Sequence, residues 1–178
     1  MEVIELKFLL KLLGFEGYRA PISNLQPNSK TKAPERDRIC RNLGDRGYVD
    51  YREEIEYFKI ESPGKQLLNT DTSQLPITDE ELKVLRSCAK ETATPGKTKL
   101  PSERRQPVIR SLIERGFISA VKIQLKEVWL TKEGKQYLLQ EYEDDRSVNM
   151  ILTTKMLTNY LRFMRQAMGG TVDGTTST

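Results

Sequence analysis

ERRQPVIRSLIERGFISAVKIQLKEVWLTKEGKQYLL, residues Glu103–Leu139, repeats an earlier stretch, PERDRICRNLGDRGYVDYREEIEYFKIESPGKQLL, residues Pro34–Leu68. With Gly47 set on Gly116, Ile39 falls on Val108, Arg41 on Arg110, Leu43 on Leu112 and Arg46 on Arg115. Tyr48 then meets Phe117, and Val49 meets Ile118. One inserted residue brings Gly64-Lys65-Gln66 onto Gly134-Lys135-Gln136 and Leu68 onto Leu138. A match of this length marks a duplicated unit, and duplication governs every later reading of the chain.

Each copy has the same order. A first helix precedes a turn-rich loop, and a second helix ends at a glycine. A Gly-aromatic-aliphatic step follows, then two β-rich runs and a closing helix. In the first copy, Ile4, Phe8, Leu9, Leu12 and Leu13 have helical spacing, and Gly14 and Gly17 end it. A helical turn fits at Ile22–Leu25. Pro34 suits the first turn of the second helix, and Gly47 its left-handed stop. Tyr48–Arg52 and Ile55–Ile60 flank the polar pair Glu53-Glu54 and predict a hairpin. Ser62-Pro63 predicts an N-cap and first residue of a closing helix.

In the second copy, Thr78 and Glu81 form a T-x-x-E capping box, with Asp79, Glu80 and Glu81 at the positive end of the helix. Pro95-Gly96 marks the loop. Pro107 predicts a second helix that starts near Gln106 or kinks there. Phe117–Leu130 predicts a second hairpin, and Thr131 caps a helix to about Tyr142. Beyond the charged junction 143–146, Met150, Thr154, Leu157, Leu161, Met164 and Met168 repeat at four-three spacing. This is a coiled-coil-like seam. Residues 169–178 are Gly/Thr-rich and are expected to be disordered.

The expected fold class is therefore α+β, mainly α with small β-hairpins. The organisation is domain 1 over 1–70, a linker over 71–77, domain 2 over 78–145, a C-terminal helix over 146–168 and a tail over 169–178. A chain of 178 residues accommodates two such small domains.

Composition narrows the chemistry. There is no histidine and there are only two cysteines, Cys40 and Cys88. That removes a zinc site, a disulfide framework and the Ser/Cys–His route to catalysis. Neither a phosphate-binding loop nor an arranged nucleophile is visible, so the chain is read as a non-enzyme without cofactor or metal. No run reaches the length of a membrane span. The N-terminus does not have the layout of a signal peptide, so the cytoplasm is the expected location. Net charge is +4, with residues 1–75 at 0 and 76–178 carrying the excess. A mildly basic second half is compatible with an anionic partner.

The order of elements resembles the winged helix-turn-helix family. Ile109–Ile118 is similar to the end of the recognition helix and the first wing strand of MarR- and PadR-like regulators. Val128–Gly134 resembles the segment that leaves their wing and opens the next helix. The resemblance covers 78–140 well and 2–68 less closely. It implies two tandem winged-helix domains and sequence-dependent binding of double-stranded DNA, as in a transcriptional regulator.

The second helix of each copy would enter the major groove. In copy two the implied contacts are Lys97, Lys99, Arg104, Arg105, Gln106 and Arg110, with Lys122 and Lys126 on the wing. In copy one they are Lys30, Lys32, Arg36, Arg38, Arg41 and Asn42. Lys and Arg suit phosphates; Arg, Asn and Gln also read base edges. Copy one's wing, with Glu53, Glu54 and Glu56, would repel phosphates, so copy two is expected to be the better reader and copy one a structural or protein-binding half. A homodimer is expected through Met150, Leu157, Leu161, Met164 and Met168. The alternative is a protein-interaction scaffold like the tandem winged helices of chromosome-segregation subunits and transcription-machinery accessory subunits. Fold alone does not choose between them.

Overall fold

The computed structural model describes residues 1–71, 75–140 and 153–169. Among them are seven α-helices and a three-stranded antiparallel sheet, so the α+β class holds. In chain order the elements are α1 (Val3–Leu12), β1 (Arg19–Pro21), α2 (Ala33–Asp45), β2 (Val49–Ile60) and α3 (Ser62–Leu68). Then come α4 (Asp79–Ser87), α5 (Ser102–Glu114), β3 (Ile118–Leu130), α6 (Lys132–Gln140) and α7 (Thr154–Gly169). Short 3-10 turns lie at Ile22–Asn24 and Pro95–Thr98. The sheet order is β1-β3-β2.

The two hairpins expected from the sequence do not form. Residues 49–60 are one strand and 118–130 another, and they pair with each other. The reason is local. A tight hairpin turn needs Gly, Asn or Asp in left-handed backbone. Arg52-Glu53-Glu54-Ile55 and Lys122-Ile123-Gln124 contain none of them. Each strand therefore runs straight on and finds its partner in the other copy, as in an exchange of strands between two like domains.

The compact units accordingly cut across the repeat. Unit 1 comprises Met1–Arg52 and Leu125–Thr178; unit 2 is Glu53–Gln124. Unit 1's core combines Phe8, Leu9, Leu12, Ile39 and Leu43 with Leu125, Val128, Leu130 and Leu138. Unit 2's core combines Ile55, Phe58 and Ile60 with Val84, Leu85, Ile109, Leu112 and Ile118.

The same devices recur in each unit at repeat-equivalent positions. Gly47 and Gly116 both have φ of +75°, the left-handed stop that glycine adopts without a Cβ clash. In unit 1 the Thr131 amide donates to the Tyr48 carbonyl at 3.2 Å; in unit 2 the Glu61 amide donates to the Phe117 carbonyl at 3.0 Å. Ala20 pairs with Val128 in unit 1, and Ala93 bridges Phe58 in unit 2. Cys40 and Cys88 are buried core residues, and burial pushes the Cys88 thiol up to about 11, where it is inert.

An ion pair also recurs. Arg46, after α2, reaches Glu5 in the first turn of α1 at 2.5 Å, and Arg115, after α5, reaches Glu81 in the first turn of α4 at 2.6 Å. Each glutamate is the third helical residue and accepts from its own N-cap amide, Glu2 or Thr78. Burial alone would raise both carboxyls. The arginine bond, the backbone amide and the nearby positive charge outweigh it, and both sit below the ordinary carboxylate value of 4.5.

A folded-state pKa below the unfolded one stabilises the fold fully above the ordinary carboxylate range. That contribution is lost as pH falls through the lower, folded-state value. Glu81→Gln is therefore expected to cost roughly 2 kcal/mol at pH 7, less than a fully buried pair would, because Arg115 stays partly in water. Urea unfolding at pH 7 and pH 3 checks this: the wild-type and variant midpoints should converge at the lower pH.

Pro107 lies inside α5, which begins at Ser102, ahead of the expected start near Gln106. Its exposed position leaves the carbonyl it cannot bond open to water. Glu61, not the expected Ser62, occupies the N-cap position of α3 and makes no side-chain capping bond; Ser62 is the first helical residue. Thr131 caps α6 as expected, accepting from the Gly134 amide at 3.0 Å.

The C-terminal helix packs on its own unit. Met156, Asn159 and Phe163 are buried, Met164 is half-buried against the unit 1 core, and Tyr160 donates to the Leu138 carbonyl at 3.0 Å. Of the expected dimer seam, Leu157, Leu161 and Met168 are exposed. Met150, the junction 143–146 and the tail 170–178 lie outside the described residues.

Candidate nucleic-acid interface

The basic residues of copy two are mostly occupied within unit 2. Arg104 pairs with Glu80 at 2.7 Å, and its hydrogen bond holds the Glu80 carboxyl below its ordinary range. Lys97 pairs with Glu91 at 2.9 Å, and Lys122 with Glu56 at 2.7 Å. Glu56 raises the Lys122 ammonium accordingly. Arg105 donates to the Leu100 carbonyl at 2.8 Å and Arg110 to the Glu53 carbonyl at 2.5 Å. Lys99 is exposed, in left-handed backbone at φ of +60°.

Gln106 has a different task from the base reading expected of it. Its amide accepts from the Ile55 N–H and donates to the Ile55 carbonyl, both at 2.9 Å. This two-point bond satisfies one residue of β2 as a neighbouring strand would. It ties α5 to the strand and leaves the Gln106 amide engaged there.

In unit 1 the arrangement differs. Arg36 is buried and held by Asp37 through two bonds, at 2.9 and 2.7 Å, so the phosphate contact expected of it is not presented to solvent. Lys30, Lys32, Arg38 and Asn42 are exposed. None of the four has an ion pair or side-chain hydrogen bond among the described residues. Arg41 is half-buried with an interaction of its own, and Lys126 likewise. Arg38 and Asn42 are four apart on α2 and share a face; Glu35 lies on the same stripe one turn earlier. Lys30 and Lys32 lie immediately before the helix, where its first amides are open and its dipole is positive.

The exchange of strands redistributes charge. By sequence, unit 1 carries seventeen Lys/Arg against fourteen Asp/Glu, and unit 2 twelve against eleven. The acidic run Glu53, Glu54 and Glu56 belongs to copy one in sequence and to unit 2 in the fold. A reading by sequence halves, with the first at 0 and the second at +4, places these acids with copy one, whereas by units the net charges are +3 and +1. The signal that could have revealed this is the missing turn at Glu53-Glu54.

Among the described residues no group of His, Cys, Asp and Glu could hold a metal, and no helix is long and apolar enough to cross a membrane. No family model, curated protein or solved structure matches this chain.

Proposed function

We propose that the chain binds double-stranded DNA through α2 and the residues leading into it, acting as a transcriptional regulator. The observation that carries this reading is the exposed, unpaired set Lys30, Lys32, Arg38 and Asn42 on the more basic unit. Its counterpart in unit 2, Lys99 excepted, is engaged by acids and backbone carbonyls. In unit 1 the order α1, β1, 3-10 turn, α2, β2, with β3 completing the sheet, supports this reading, since a winged helix would need that order with its second wing strand supplied by the other copy. Lys30, Lys32 and Arg38 serve as phosphate anchors, as most protein–DNA bonds do. Asn42 can pair with adenine and Glu35 can accept from cytosine, which places sequence reading on the same stripe. A second copy would pair through the exposed Leu157, Leu161 and Met168, and light scattering reads that state.

The test is fluorescence anisotropy with a random duplex over a range of salt. Each phosphate anchor contributes about 0.9 to the slope of log affinity against log salt. Replacing Lys30, Lys32 and Arg38 by Gln should lower the slope by about 2 to 3 and weaken binding at low salt at least tenfold. Replacing Arg104 and Arg105 should change it little. Equal slopes for wild type and the first variant, or loss only in the second, would sink the assignment to α2.

One observation favours a second reading, a protein-binding scaffold. Tyr57, Val121 and Ile123 are exposed on the strands of near-neutral unit 2. Apolar side chains grouped on a strand surface suit a protein partner. A stable complex that survives high salt and is lost on Val121→Lys with Ile123→Lys would support it.

A further inference from the structure

Unit 1 contains a cleft of about 490 Å³ bounded by the end of α1, the loop over residues 26–29 and the first turn of α7. That volume is within the range of small-molecule sites. Its two charged wall residues are both cations, Lys11 and Lys155, and no Asp or Glu lines it among the described residues. Lys11 is held in place, its ammonium donating to the Gln26 carbonyl at 2.6 Å.

The first turn of α7 forms another wall. The Met156 amide is taken by the Thr153 hydroxyl at 3.3 Å, while the Thr154 and Lys155 amides precede the first intrahelical bond. Such a helix end is a natural anion seat, though this alone would not define a site.

Asn159 provides the independent observation. It is 7% exposed, lines the cleft, and has no side-chain hydrogen-bond partner among the described residues. It packs over Gly14, where any added side chain would collide with its amide. Its amide is open to the cleft rather than sealed in the core, so the cleft is the side from which a partner comes. A carboxamide in place of a carboxylate also keeps this wall free of negative charge.

We propose that this cleft binds a small phosphate-bearing molecule of about nucleoside-monophosphate size. Lys11 and Lys155 balance the phosphoryl charge, the opening amides of α7 donate to its oxygens, and Asn159 gives one directional bond. Met156 and Pro27 face the less polar remainder of the ligand. The binding goes beyond the DNA reading and does not depend on it. Because residues 26–29 run directly into Lys30 and Lys32, an occupied cleft also couples to the proposed DNA face, and that coupling alone rests on the DNA reading.

Calorimetric titration of the full chain with adenosine monophosphate, and separately with inorganic phosphate, tests the site. Saturable binding with a Kd of about 1 mM or tighter is expected for the nucleotide. The Lys11→Gln, Lys155→Gln double variant should weaken it at least tenfold, and Asn159→Asp should abolish it. The control, Lys30→Gln with Lys32→Gln, should bind as the wild type does. The melting temperature of each unliganded variant confirms that it is folded. The proposal is overturned if neither probe saturates by roughly 10 mM. It is also overturned if the control loses binding equally, since that is the mark of general surface charge. If the probes fail while duplex binding falls in Lys155→Gln, the cleft belongs to a DNA backbone and this proposal is wrong.

Discussion

Severed within residues 71–75, the chain is expected to give two fragments that fold only together. A fragment of residues 1–70 carries α1 and α2 but lacks Leu125, Val128, Leu130 and Leu138, which complete the core over Phe8, Leu9 and Leu43. The remainder lacks Ile55, Phe58 and Ile60, against which Leu85, Ile109 and Leu112 pack. Units this small have little stability to spare, and losing a sheet strand and its apolar face removes most of it. Each fragment alone should show no cooperative thermal transition by circular dichroism. Mixing should restore one, with a concentration-dependent midpoint and a 1:1 complex by light scattering. A folded, monomeric 1–70 fragment would show instead that β2 can turn back at Glu53-Glu54, and the exchange would then be dispensable.

The second large effect concerns two glycines whose role is steric. A Cβ at Gly134 would penetrate the Tyr48 carbonyl in unit 1, and one at Gly64 would penetrate the Phe117 carbonyl in unit 2. Both obstacles are backbone, which cannot swing away as a side-chain end can. The nearby carbonyls accept the Thr131 and Glu61 amides, so displacement also strains the bonds that dock α6 and α3. Gly134→Ala is expected to cost roughly 2–4 kcal/mol. For a chain of this size that lowers the melting temperature by roughly 10 °C. Gly96→Ala serves as the control, since its Cβ would meet only the Thr94 hydroxyl at 3.9 Å. Equal melting temperatures for Gly134→Ala and Gly96→Ala would refute the close approach.

The repeat was legible because its signals are local. Gly47 and Gly116 mark the helix stops, Thr78 and Glu81 the capping box, and Leu43 and Leu112 the inner face. The helices follow from residues three and four apart. The pairing of strands is not local. Alternation in Tyr48–Ile60 specifies a strand and its buried face, but it does not name the partner. Only the absence of a turn former at Glu53-Glu54 pointed away from a hairpin.

The candidate site was half legible for the same reason. Lys30, Lys32, Arg38 and Asn42 could be picked out as exposed cationic or amide groups. That Arg104 is spent on Glu80, or Gln106 on the Ile55 backbone 51 positions away, is a property of the assembled fold. Charge counted along the chain placed the acids of residues 53–56 with copy one, whereas in the fold they belong to unit 2.

The continuous strands also set an order of events during synthesis. Unit 2 is one unbroken segment, so its residues are all available once Gln124 has left the ribosome. Unit 1 cannot close until Leu125–Leu138 has followed, although α1 and α2 emerged first. Its closure must await contacts more than eighty positions apart, such as that between the Thr131 hydroxyl and the Gly47 carbonyl. Late, distant closure makes for slow folding. Helices α1 and α2 therefore wait with their apolar faces uncovered until Leu138 has emerged, and meanwhile chaperone capture or pairing with a neighbouring nascent chain competes with completion of the fold.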